Sequence, residues 1–176
     1  MGTFRKATIK NVFTTSSLLI HPSTSSIYVG RMFKKNKISF NDGCVYSADN
    51  IPKINNYWNE HKQKFLIVNL SKQNENGTHF IFIENSARRM FYWDPLNLKY
   101  IEENIKEYMV ENAKKIKIIK HQVQSYSSVC CGLFCIALVV ARHYEMTYKK
   151  FFSFFSRNYN HNDKRILKVF EFLLNK

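Results

Sequence analysis

Three of the chain's four cysteines, Cys130, Cys131 and Cys135, crowd into six positions. The run Gln124-Ser125-Tyr126-Ser127-Ser128-Val129 leads into Cys130-Cys131-Gly132, and an apolar segment from Leu133 to Val140 begins at once. This pattern predicts a loop that delivers a cysteine to the first turn of a buried central helix. At such a position the free N–H groups and the positive end of the helix dipole favour a thiolate. The same groups can hold an oxyanion formed on a bound carbonyl. A lone cysteine there is more often a packing residue, because free cysteine is among the most buried residue types. The assignment therefore depends on partners elsewhere in the chain.

His79 follows Gly77-Thr78 at the start of an apolar strand, and Asp94 ends the next strand, just before Pro95. Taken singly, His79 reads as a half-buried histidine and Asp94 as a turn residue. In an antiparallel hairpin the first residue of one strand lies beside the last of its partner, so the two fall at one edge of the sheet. An aspartate bonded to one imidazole nitrogen would leave the other nitrogen as a base. Gln124 lies seven residues before Cys131. Its amide can fold back over the helix start and donate to an oxyanion beside the Cys131 N–H. Gln122 is the competing amide: alternation puts it on the same face, and only spacing favours Gln124. The chain order is then base, acid, oxyanion donor, nucleophile, whereas papain-like proteases put the cysteine first.

The elements that must position these groups follow from periodicity. Short apolar runs at Phe65–Leu70, Thr78–Glu84 and Arg89–Asp94 predict strands, the last two joined as a hairpin. Apolar residues at helical spacing predict an amphipathic helix over 98–115, and Lys117–Val123 returns as a strand. Two more helices are expected at Tyr148–Phe155 and Lys164–Leu174. The first 30 residues carry short apolar patches among Ser and Thr, compatible with short helices or irregular arms. Ile27–Phe33 suits a strand or a docking loop, and Asn41-Asp42-Gly43 signals a turn. The segment Ser47–Pro52 suits a helix start or a loop, and Tyr57 and Trp58 suit packing. The expected fold is α+β, a mostly antiparallel central sheet with helices packed around it. Residues 1–176 make one domain: N-terminal helical and loop elements over 1–64, a catalytic core over about 65–145, and C-terminal helices over 146–176.

Composition narrows the function classes. The 27 Lys and Arg against 13 Asp and Glu give a net charge of +14, which favours an anionic partner such as DNA. Solvated surface lysines are the plainer account of the same charge. No CxxC spacing supports a zinc site, and adjacent cysteines pair poorly, so reduced thiols and a non-secreted location are expected. The N-terminal Met1-Gly2-Thr3-Phe4-Arg5-Lys6 lacks the apolar core of a signal peptide, and the apolar run near Leu133 is too short to span a bilayer.

The motifs resemble those of the adenain family, the adenovirus-type maturation proteases, and of their relatives the ubiquitin-like-protein proteases. Gly77-Thr78-His79-Phe80 resembles the family's Gly-x-His-Trp strand start. Phe91-Tyr92-Trp93-Asp94-Pro95 resembles its aromatic strand ending in an acid and Pro. Gln124 with Cys131-Gly132-Leu133-Phe134-Cys135 resembles its oxyanion glutamine, nucleophile and helix start, the most specific of the three blocks. The resemblance implies a cysteine endopeptidase with catalytic His79, Asp94, Gln124 and Cys131, and leaves Cys130 and Cys135 outside the chemistry. It departs from the pattern at Phe80, where the family has Trp, and at Asp94, where adenain has Glu and the ubiquitin-like-protein branch has Asp. By resemblance the substrates are viral capsid or core precursors cleaved during virion maturation, inside the host cell or the virion. No cofactor or metal is implied by the residues themselves, while DNA or a viral peptide is the activator the resemblance implies. A monomer without membrane attachment is expected. Two other readings stand beside this one: an isopeptidase acting on ubiquitin or SUMO conjugates, and a basic nucleic-acid-binding scaffold that has lost catalysis.

Overall fold

The computed structural model describes residues 43–49, 51, 64–71, 79–86 and 89–174. The expectations for residues 1–42, for Tyr57 and Trp58 and for the loop before His79 lie outside the described residues. Five strands form one sheet in the order β1 (Gly43–Ser47), β2 (Phe65–Asn69), β3 (Phe80–Ser86), β4 (Arg89–Trp93) and β5 (Lys115–Ile119). The centre is antiparallel, β2 with β3 and β3 with β4, as the hairpin pattern predicts. Both edges are parallel, β1 with β2 and β4 with β5. The architecture is thus α+β, with a mixed sheet flanked by helices. Strand β1 was not anticipated, because Asn41-Asp42-Gly43 signalled a turn at its start.

The apolar runs of β2 and β3 are continuous because both faces of the sheet are covered. Alternate residues point to opposite sides. Phe65, Ile67, Phe80, Phe82 and Trp93 pack with helix α2 (Cys131–His143), α3 (Tyr148–Phe152) and α4 (Tyr159–Leu174). Leu66, Val68, Ile81, Ile83, Met90 and Tyr92 pack on the other side with Ile105, Tyr108 and Met109 of α1 (Glu103–Asn112). Helix α1 is the crossover that two parallel strands, β4 and β5, require.

Several boundaries differ from expectation, among them the helix expected over Tyr148–Phe155, which ends at Phe152. Helix α1 starts at Glu103 and not near residue 98. The Asp94 carboxylate accepts the Leu96 and Leu98 N–H groups at 2.8 and 3.1 Å, Asn97 takes a positive φ of 53°, and the turn so formed holds the chain out of a helix. The Glu102 side chain then accepts the Ile105 N–H and starts α1. Strand β5 ends at Ile119, before the expected limit of Val123. The N–H groups of Val123 and Gln124 turn instead to the Pro95 carbonyl, at 3.0 and 3.1 Å. Helix α4 begins at Tyr159, five residues before Lys164, with Asn158 Oδ1 accepting the His161 N–H at 3.1 Å.

Helix α2 is buried almost all round, which its run of Leu133, Phe134, Cys135, Ile136, Leu138 and Val139 dictates. Its far end is fastened to β3. Arg142 donates through Nε and Nη2 to the Glu84 carboxylate at 2.7 and 2.9 Å, and the Tyr148 hydroxyl donates to the same group.

Candidate active site

Cys131 is the first residue of α2 and Cys130 is its N-cap. Both are buried. A helix leaves its first N–H groups without intrahelical acceptors, so the Cys131 N–H stands at a natural anion site. The Cys130 N–H is already taken, donating to the Ser128 hydroxyl at 3.2 Å. Burial pushes the Cys130 thiol up to about 11, with the Ser128 bond opposing and the charges of Asp163 and Cys131 adding to the rise. Cys135, one turn further along, is fully buried, and its thiol donates to the Phe80 carbonyl at 3.5 Å. Burial, then the charges of Cys131 and Asp94, raise its pKa well above the ordinary thiol value. Among these three thiols, Cys131 is the one that raises the pKa of an imidazole.

That imidazole is His79. It lies immediately before β3, and Asp94 lies immediately after β4, so both stand one step beyond the strand ends that face α2. His79 Nε2 bonds Asp94 Oδ1 at 2.7 Å with both residues buried. Burial alone would lower the His79 pKa. The hydrogen bonds with Asp94 and then Cys131, together with their charges, outweigh it and raise the value to about 9. The two partners of His79 therefore favour the protonated ring.

Gln124 is fully buried. Its backbone N–H donates to Pro95 O, beside Asp94, and its carbonyl accepts from the Gln122 side-chain amide at 2.9 Å. The Gln124 side-chain NH₂ donates to the Ser128 carbonyl at 2.8 Å, which fixes which end of the amide carries nitrogen and leaves a second N–H on the same group. Gln122 therefore buttresses the loop through Gln124. Tyr126 and Val129, on the same loop, stand in solvent at 69% and 64% exposure.

The structure brings His79, Asp94 and Cys131 into contact and places Gln124 in the loop that runs into Cys131. Two residues at this site went unread in the sequence. Asn162 donates through Nδ2 to the Val123 carbonyl at 2.9 Å, and Asp163 Oδ2 accepts the Ser125 N–H at 3.2 Å. Their sole local signal was a polar stretch ahead of an apolar helix, common to many helix starts.

No family model matches the chain, and no curated protein does. Solved structures do. The structure of ChlaDub1 from Chlamydia trachomatis superposes with a TM-score of 0.56 at 10% identity, covering 92% of this chain and 93% of that one. The SUMO protease Ulp1, with its catalytic cysteine oxidised to a sulfinic acid, gives 0.51 at 9% identity over 99% and 95%. AvrA delL154 with IP6 and CoA gives 0.50 at 16% identity, over 68% of this chain and 48% of that one. The fold of this chain is similar to that of these three proteins. At these identities the likeness concerns the backbone arrangement.

Proposed function

We propose that this chain is a cysteine peptidase that cleaves ubiquitin-like modifiers from their conjugates, with His79, Asp94, Gln124 and Cys131 as its working residues. The observation that carries the reading is the buried 2.7 Å His79–Asp94 pair, with a cysteine at a helix start acting on the same imidazole. Aspartate as the acid agrees with the ubiquitin-like-protein branch of the family the motifs resemble, and the fold likeness to a SUMO protease supports the same branch.

The chemistry follows from the groups. The Cys131 sulfur, its proton passed to His79, attacks the carbonyl carbon, forming a C–S bond and moving the π electrons onto oxygen. The Cys131 N–H and the remaining Gln124 N–H donate to that oxyanion. Collapse re-forms the carbonyl and breaks the C–N bond, while His79 gives its proton to the departing amine. Water then attacks the thioester, losing its proton to His79, and the thiolate leaves with the acid released. Asp94 holds the ring in register throughout.

A second reading is the processing of viral structural precursors. The adenain-like spacing of the three motif blocks favours it, as does the charge of +14. Ubiquitin and SUMO carrying C-terminal vinyl-sulfone groups separate the readings, with iodoacetamide as a general thiol reagent. The expected result is a modifier adduct on Cys131, lost in Cys131→Ala and largely kept in Cys130→Ala. Iodoacetamide labelling without a modifier adduct, together with cleavage of a capsid precursor, selects the second reading. A chain in which Cys131 is no more reactive than Cys130 would be a scaffold without catalysis.

A further inference from the structure

Gln124 can serve an oxyanion only if the backbone around it is held, and two of the bonds that hold it, one on each side, come from α4. Asn162 is fully buried and spans two segments. Its Nδ2 donates to Val123 O at 2.9 Å and to Ser156 O at 2.8 Å, while its Oδ1 accepts the Ser156 N–H at 3.0 Å. Asp163 takes the Ser125 N–H at 3.2 Å, and the Ser128 side chain helps hold its pKa down. Val123 and Ser125 are the residues on either side of Gln124. Ser128 in turn supplies the carbonyl that orients the Gln124 amide and the hydroxyl that takes the Cys130 N–H. We propose that the Asn162–Asp163 pair of α4 is the positioning device of the oxyanion loop, Asn162 fixing the backbone before Gln124 and Asp163 the backbone after it.

The chemistry of Asp163 supports a role beyond filling space. It is 8% exposed, and its Oδ1 is buried without a hydrogen-bond partner. Burial raises its pKa from 3.8 to about 6, against the lowering by Ser125 and Ser128. A folded-state pKa raised above the unfolded one means that the carboxyl favours folding most below pH 3.8 and opposes it increasingly as pH rises through about 6. At neutral pH the group costs stability, whereas an apolar residue of similar size would not. What it supplies is an acceptor for a loop N–H that would otherwise be orphaned beside the reacting groups.

The inference rests on the peptidase reading, and the test separates the two. Asp163→Ala removes the acceptor, and Asp163→Asn keeps one. Each is compared with wild type for hydrolysis of ubiquitin- or SUMO-aminomethylcoumarin, and for protection of Cys131 from iodoacetamide by a peptide aldehyde ending in Gly-Gly, whose hemithioacetal oxygen occupies the oxyanion position. We expect Asp163→Ala to lose roughly 100-fold in kcat with KM within about threefold, because a misplaced oxyanion donor acts on the transition state. Aldehyde protection should weaken in parallel, while the alkylation rate without aldehyde, set by His79 and Cys131, stays near wild type. Asp163→Asn should recover most of kcat with no loss of Tm. Unchanged kcat and aldehyde protection in Asp163→Ala overturns the proposal. So does a fall in alkylation that tracks a fall in Tm, which marks Asp163 as a structural residue. If wild-type Cys131 resists both alkylation and the aldehyde, the peptidase reading itself fails and the positioning role falls with it.

Discussion

His79 carries the sharpest consequence at the scale of single residues. Its folded pKa of about 9 stands above the ordinary 6.5, so folding favours the protonated ring. The stability it contributes is fully present below about pH 6.5 and is lost as pH rises through about 9. We expect the stability gap between wild type and His79→Ala, measured by urea titration, to close over that interval. Activity should fall by at least about 100-fold in the variant at neutral pH, since the general base is gone. Unfolding of His79→Ala at neutral pH would instead mark an ordinary core histidine. Asp94 keeps partners in that variant through the Leu96 and Leu98 N–H groups. The two residues were legible in sequence because each abuts a strand end of one hairpin. The direction of the Gln124 amide was not, because it is set by the Ser128 carbonyl within a folded loop.

Helix α2 connects chemistry and core at the scale of elements. Its first turn carries Cys131, and its last turn carries Arg142, bonded to Glu84 near the end of β3 away from His79. The Glu84 side chain is 1% exposed. Arg142→Ala would leave that carboxylate buried with the Tyr148 hydroxyl as its remaining partner, and should cost about 3–5 kcal/mol of stability by denaturant unfolding. Because the pair is remote from Cys131 along the helix, kcat well below the melting temperature should be little changed. A loss of kcat with stability intact would show that the helix transmits strain from end to end. The helix itself was plain in sequence, as a long apolar run admits no exposed face. The start of α1 was not, because the Asp94 carboxylate claims the N–H of Leu98, which the apolar spacing assigned to a first turn.

The whole molecule carries a charge of +14, and the proposal that this serves a polyanion belongs at this scale. Phosphate contacts displace counterions, so binding to duplex DNA, followed by fluorescence anisotropy, should weaken linearly in log K against log salt. Binding that is absent at low salt, or indifferent to salt, would assign the lysines to solubility alone. Among the described residues no helix is long and apolar enough to cross a membrane.

The spacing of His79, Asp94, Gln124 and Cys131 was readable along the chain, and with it the central hairpin and the buried helix, because periodicity and turn chemistry are local properties. Tertiary structure decided the parallel edges of the sheet. It also decided the hold of Asn162 and Asp163 on a loop nearly 40 positions earlier in the chain, with separations of 39 and 38 residues. Such pairings obey no short-range pattern. They exist because burial forces each polar group to find a partner wherever the folded chain brings one. The candidate cysteine was thus marked by its local sequence, and the loop that leads into it is held from a helix late in the chain.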